Sequence, residues 1–172
     1  MTDTRGTAGD ARLQEIADRM ARSAFHRWTG MQLVRAEPGE VEIALDADGH
    51  HLNLLGTVHG GMLATVADTA MGLAMRTRAE RGLAYVTTQL DLHYLAPGRP
   101  GRIVAIGRTV KGGRQMGYAE ADVVGEGGEL LARASATFIV VRQPPEEDAP
   151  EARAGNSGDA AGNRASTRAD GQ

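Results

Sequence analysis

The sequence predicts an α+β domain in which a mostly antiparallel sheet wraps around one long buried helix. Three observations carry this expectation. Residues 60–78 place apolar side chains at helical spacing with very little charge. Four strand-like segments follow them, separated by glycine-rich gaps, and two more precede them. Strands grouped on either side of a single long helix favour an antiparallel sheet over a parallel one built from alternating β and α units.

Each element has its own signal. Leu13, Ile16, Ala17 and Met20 recur at helical spacing and predict a short amphipathic helix over residues 12–23. Strands follow at 31–36 and 40–45, with Pro38-Gly39 as the turn between them. In the second, Val41, Ile43 and Leu45 alternate with polar or small residues, the pattern of a half-buried strand. A polar connection, 46–55, leads to Gly60-Gly61 and the long helix. Residues 85–95 alternate again, with Val86, Thr88, Leu90, Leu92 and Tyr94 expected on one face, until residues 97–101 break the run. Segments 102–110, 115–124 and 130–141 complete the sheet. The gaps between them, Lys111-Gly112-Gly113-Arg114 and residues 125–128, suit hairpin turns. No internal repeat is visible.

Composition sets the outer limits. Residues 143–172 contain no Val, Ile, Leu, Met, Phe, Trp or Tyr, so that stretch cannot bury enough apolar surface to offset its ordering entropy and is expected to be a disordered tail. Residues 1–11 read the same way, which leaves 12–142 as the folded domain. A net charge of −3 argues against a dedicated nucleic-acid binder. There are no cysteines, which excludes disulfides and thiolate metal sites. The start of the chain shows no apolar secretory segment. Residues 56–75 match a bilayer in length, but Asp68 near their centre is costly there, so a buried helix of a soluble cytoplasmic protein is expected.

The long helix carries the functional information. On a helical wheel, Met62, Leu63, Val66, Ala70 and Leu73 fall on one face, and Gly61, Ala64, Met71 and Met75 on the other. A helix that is apolar all round is buried on both sides. One side is expected to meet the sheet and the other a partner subunit. Asp68 lies on the second face and is the only acid between Asp48 and Glu80. Taken alone it reads equally as a buried carboxylate satisfied by backbone N–H groups or an arginine such as Arg76, or as a functional group.

The helix entrance bears on that choice. The run from Asn53 to Gly61 brings a flexible turn onto a helix N-terminus, where glycines leave N–H groups open to a carbonyl oxygen or anion. Such a start can build an oxyanion site from backbone alone, although close packing also explains a Gly-Gly pair. His59 reads first as a helix cap or core histidine. His50, His51 and His59 match no metal-ligand spacing, and no metal is expected.

At this point the residues match a family. His51-Leu52-Asn53-Leu54-Leu55-Gly56-Thr57-Val58-His59-Gly60-Gly61, followed by Asp68 nine residues after His59, resembles the signature of hotdog-fold thioesterases of the PaaI-like and 4-hydroxybenzoyl-CoA types. Val86-Thr87 through His93-Tyr94 to Pro97 is similar to the third strand of the same family. The likeness spans residues 28–141. It implies a hotdog fold, a homo-oligomer (a dimer or a dimer of dimers) with its site at the dimer interface, and hydrolysis of acyl-CoA thioesters without metal or cofactor. Residue by residue, Asp68 matches the catalytic carboxylate, acting as general base or as nucleophile. The Gly60 N–H matches the donor that polarises the thioester carbonyl, and Asn53 a polar residue that positions water or the thioester. His59 matches a residue supporting the loop and site, and Thr87 a strand hydroxyl near the carboxylate. Lys111 and Arg114 match a basic hairpin that meets the CoA nucleotide, although an exposed basic turn is an ordinary feature. Two other readings stay open: a hotdog hydratase or dehydratase, and a non-catalytic acyl-CoA-binding subunit.

Helix geometry adds an independent constraint. Gly60 and Asp68 stand eight residues apart, about 12 Å along one helix at ~1.5 Å per residue. A reacting carbon needs both groups within roughly 3–4 Å. If both act on one carbon, they come from different chains.

Overall fold

The computed structural model describes residues 5–80 and 82–143, with side chains described from Leu13 onward. Its elements are α1 (Arg5–Arg22), α2 (Ala24–Thr29), β1 (Gln32–Glu37), β2 (Glu40–Ala47), a 3-10 turn (Gly49–His51), α3 (Gly60–Thr77), β3 (Leu83–Tyr94), β4 (Gly101–Lys111), β5 (Met116–Val124) and β6 (Leu130–Arg142). The six strands form one antiparallel sheet in the order β1-β2-β4-β5-β6-β3, so β3 lies at an edge. The sheet curls around α3, as the order of elements predicts.

The sheet holds the helix on a surface of small side chains. Ala105 and Gly107 of β4, Ala119 and Ala121 of β5, and Ala134 and Ala136 of β6 are all buried facing it. Larger residues, Val41, Ile43 and Leu45 of β2 with Phe138 of β6, fill the flanks. Helix and sheet backbones meet at Gly107, where a Cβ would stand 2.3 Å from the backbone carbon of Ala70. Only a hydrogen fits there. At Gly117 of β5 the missing side chain leaves the space that the terminal methyl of Met75 fills, since a Cβ there would lie 2.1 Å from it.

That curl corrects the wheel. Leu63, Val66, Ala67, Ala70, Met71, Ala74 and Met75 are the buried residues of α3. Met71 and Met75, expected to face a partner, sit fully inside this chain's own core. A curled sheet covers a wider sector of a helix than a flat one, and small residues beneath the helix let it sink in. Gly61 of α3 is exposed, and Thr65, Asp68, Thr69 and Gly72 along its side are only partly buried, as are Met62, Ala64 and Leu73.

Other differences are local. α1 begins at Arg5 rather than at residue 12, because a helix can run back past its first apolar contact through residues of fair helical propensity such as Ala8 and Ala11. Six residues that gave no periodic signal form α2, framed by the Ser23 N-cap and by Gly30 in the left-handed region (φ 70°). Gln143 is tied to the domain, its N–H donating to the Gly82 carbonyl (2.9 Å) and its side chain accepting from Arg76 (3.1 Å). Gln143, which composition assigns to the tail, is thus part of the described domain, and residues 1–4 and 144–172 lie outside the described residues. Among the described residues no helix is long and apolar enough to cross a membrane.

The outer face of the sheet is charged in a cross-strand series. Arg35 pairs with Glu37, Glu40 and Glu42, while Arg108 bridges Glu40 (2.8 Å) and Asp122 (3.5 Å). Arg133 meets Asp122 from the other side (2.8 Å). Partial burial opposes ionisation of Glu40, but its hydrogen bonds to Arg108 and Arg35 outweigh this and hold its carboxyl below the ordinary value.

Two outcomes follow from this packing. Gly107→Ala drives a methyl into the backbone of α3 and costs at least about 3 kcal/mol, read as a lower urea midpoint or loss of soluble protein. A chain ending at Gln143 melts like the full chain. A chain ending at Arg142 loses two hydrogen bonds and melts about 2–6 °C lower, measurable by circular dichroism.

Candidate active site

Asn53 organises the turn that enters α3. Its Oδ1 accepts from the N–H groups of Leu55 (2.9 Å) and Thr57 (3.2 Å), and its Nδ2 donates to Thr57 Oγ1 (2.8 Å). Gly56 sits in the left-handed region (φ 75°) to close this turn, which leaves Leu54 and Leu55 fully or largely exposed at its tip. The sequence reading gave Asn53 the placing of water or thioester. In this chain most of its hydrogen-bonding capacity holds the loop, leaving one Nδ2 proton for a ligand.

The three histidines divide up locally. His51 spans from the Asp48 N–H at Nδ1 (3.1 Å) to the Thr29 carbonyl at Nε2 (3.1 Å), tying the loop to the end of α2. His50 is exposed beside Asp48. His59 is the N-cap of α3, its Nδ1 accepting from the Gly61 N–H (2.9 Å). Its carbonyl accepts from the N–H groups of Met62 (2.8 Å) and Leu63 (3.4 Å). Of the first four N–H groups of α3, three are thus satisfied by His59, and among the described residues none accepts from that of Gly60. The cap function of His59 is what leaves one N–H open at the positive end of the helix dipole.

Asp68 stands two turns further along the helix, partly buried and facing β3. Thr87 Oγ1 donates to its Oδ1 at 2.8 Å. Arg76, the cation that the sequence offers as a partner for Asp68, donates instead to Gln143 and to Glu15 (3.2 Å). Asp68 is therefore held by a hydroxyl, with Oδ2 outside that bond.

Thr87 reaches Asp68 because β3 does not alternate evenly. The pairing with β6 shifts register between Thr87 and Gln89, a β-bulge. Before it, Tyr85 and Thr87 are the more buried residues. After it, Leu90 and Leu92 are, and Tyr94 faces the helix. Val86 and Thr88, which the alternation placed on the inner face with Leu90, are exposed. One extra residue thus turns both Thr87 and Tyr94 toward α3.

Two cavities lie along this strand. One of about 360 Å³ opens beside the helix N-terminus and is lined by Asn53, Gly60, Leu63, Tyr94, Leu95 and Pro97 among others. Another of about 670 Å³ lies at the far end of α3 between Arg78, Tyr85 and the β4–β5 hairpin, where Gly112, Gly113 and Arg114 line it. Lys111 flanks the same exposed hairpin. Tyr94 and Arg78 line these cavities, and neither is singled out by the sequence. The first carried a signal in its place on an alternating strand close to a break, and the second carried none. Among the described residues no group of His, Asp and Glu is placed to hold a metal ion.

Comparison with known proteins shows the family. Residues 55–132 match the model of the thioesterase superfamily. Human acyl-coenzyme A thioesterase 13 is 30% identical over 125 residues, which cover 70% of this chain and 89% of that protein. The phenylacetic acid degradation protein PaaI of Thermus thermophilus superposes with a TM-score of 0.62 at 31% identity, covering 68% of this chain and 98% of that one. A Streptococcus mutans protein solved with acetyl-CoA bound gives 0.61 at 28% identity, covering 67% and 91%. With the helix, the sheet order and the entrance loop already in place, this chain belongs to the thioesterase superfamily, as a PaaI-like thioester hydrolase of the hotdog fold.

Proposed function

We propose that this chain hydrolyses acyl-CoA thioesters to a free acid and CoA, in a site shared by two copies of the chain. One observation carries the reading: an open Gly60 N–H and a hydroxyl-held Asp68 carboxylate occupy the same helix, about 12 Å apart at ~1.5 Å per residue. One copy cannot apply both to one carbonyl carbon. A second copy can, and the strip from Gly61 to Gly72, with the open edge of β3 beside it, is a part of α3 that the chain's own sheet leaves incompletely covered.

In this scheme the thioester oxygen lies at the Gly60 N–H of one chain, where the helix dipole and the donated hydrogen bond stabilise the charge that develops on it. Asp68 Oδ2 of the other chain takes a proton from water as the water oxygen bonds to the carbonyl carbon. The C–S bond then breaks, and the proton passes to the departing CoA thiolate. If Asp68 attacks directly, an acyl anhydride forms first and water cleaves it. Thr87 fixes the carboxylate in either case. Arg114 and Arg78, which line the hairpin cavity together with Glu80, and Lys111, which flanks the hairpin, supply the positive charge for the CoA phosphates. Acyl-CoA as substrate is supported by the names of the relatives, and the residue roles by their geometry.

The direct test is release of free thiol from a panel of acyl-CoAs. Asp68→Asn keeps the fold and lowers kcat by at least about 10²-fold. Thr87→Ala costs less, about 10-fold, because it orients the carboxylate without touching the reacting atoms. A folded Asp68→Asn enzyme with wild-type turnover contradicts the assignment, as does a Thr87 effect larger than that of Asp68. Asn53→Ala lowers both activity and melting temperature, because the same side chain holds the loop. Loss of activity with an unchanged melting temperature would instead mark it as a contact to substrate alone.

A further inference from the structure

Tyr94 stands over the donor end of α3. Its hydroxyl donates to the Gly60 carbonyl at 3.0 Å, and its ring crowds the Gly60 α-carbon so closely that a Cβ there would lie 3.0 Å away. The side chain is more than half exposed, so it does not serve to fill the core. It forms one wall of the cleft of about 360 Å³ beside Gly60, whose other walls include Val58, Leu63, Leu95 and Pro97. No charged side chain lines that cleft.

We propose that this cleft seats an uncharged acyl group, and that Tyr94 is both the positioning residue for Gly60 and the wall that sets acyl length; the inference rests on the thioesterase reading above. The hydroxyl acts through Gly60. Gly60 has no side chain to fix its backbone, and its N–H serves as a donor only while it points into the cleft. A hydrogen bond to its carbonyl restrains that residue from the side where β3 passes. The ring acts directly on the substrate. An acyl chain whose carbonyl oxygen sits at the Gly60 N–H runs against apolar walls and meets the ring. A chain ending in a carboxylate would have to bury that charge without a cation from these walls, which is unfavourable.

The experiment measures kcat and KM by thiol release for wild type, Tyr94→Phe and Tyr94→Ala. The substrates are butyryl-, octanoyl-, palmitoyl-, phenylacetyl- and succinyl-CoA. Tyr94→Phe keeps the ring and loses one positioning hydrogen bond, so kcat falls about 2- to 10-fold on every substrate while KM and the order of preference stay. Tyr94→Ala removes the wall and shifts the preferred acyl chain to greater length. The wild type turns over succinyl-CoA at least about tenfold less efficiently than butyryl-CoA. An active wild type with unchanged kcat in Tyr94→Phe, an unchanged length preference in Tyr94→Ala, or equal use of succinyl and butyryl groups overturns this inference alone. A wild type inactive on every thioester removes it together with the function on which it rests.

Discussion

Ala70 lies against Gly107 of β4 with no room for a side chain between helix and strand, and the remaining geometry depends on that contact. It sets how deeply α3 sinks into the sheet, and the alanines on either side keep the rest of the floor equally low. A deep helix carries its ends with it. Its N-terminus is brought level with the loop that Asn53 braces, and its middle comes within hydrogen-bonding reach of β3. In an ordinary core, large side chains interdigitate at the centre. Here the large buried side chains come from the helix and the flanking strands, and at Ala70 and Gly107 backbone lies against backbone.

The site follows from how β3 passes that helix. Its bulge reverses the alternation between Thr87 and Gln89, so Thr87 meets Asp68 and Tyr94 meets Gly60 from a single strand. A regular strand would turn one of these side chains outward. The helix start is divided in a similar way: His59 satisfies three N–H groups and leaves one. Structural hydrogen bonds thus leave open the groups that are proposed to react.

Much of this was legible in the sequence, and what was not has particular causes. The strands of the sheet and the limits of α3 follow from periodicity, because each has one buried face or is buried outright. The cap reading of His59 and the isolation of Asp68 among acids were equally visible. The buried sector of α3 was not, since a helix apolar all round has no face that its own sequence selects; the curl of the sheet decides it, and that placed Met71 and Met75 inside. The bulge was hidden because Val86, Thr88, Leu90 and Leu92 alternate without a break in sequence, while the register is set by pairing with Phe138 and Thr137 of β6. α2 has only a cap and a glycine to announce it. Gln143 has a composition typical of the tail, and its place in the fold comes from Arg76 and Gly82, both far away along the chain.

The central claim is that donor and carboxylate act from different copies of the chain, and mixing two inactive variants tests it most directly. Asp68→Asn removes the carboxylate function. Gly60→Pro removes the donor N–H at the first position of α3, where proline's backbone suits the helix and His59 before it already has the extended backbone (φ −61°, ψ 133°) that proline requires; its Cβ, 3.0 Å from the Tyr94 ring, makes that exposed ring shift. Each variant, confirmed as folded and oligomeric by circular dichroism and sedimentation, is nearly inactive alone. Unfolded and refolded together in equal amounts, they pair at random; about half of the dimers are mixed, and each of these holds one intact site of two. Roughly a quarter of wild-type activity then returns. If the subunits exchange and no activity returns, then Gly60 and Asp68 do not meet across an interface, and the shared site is wrong.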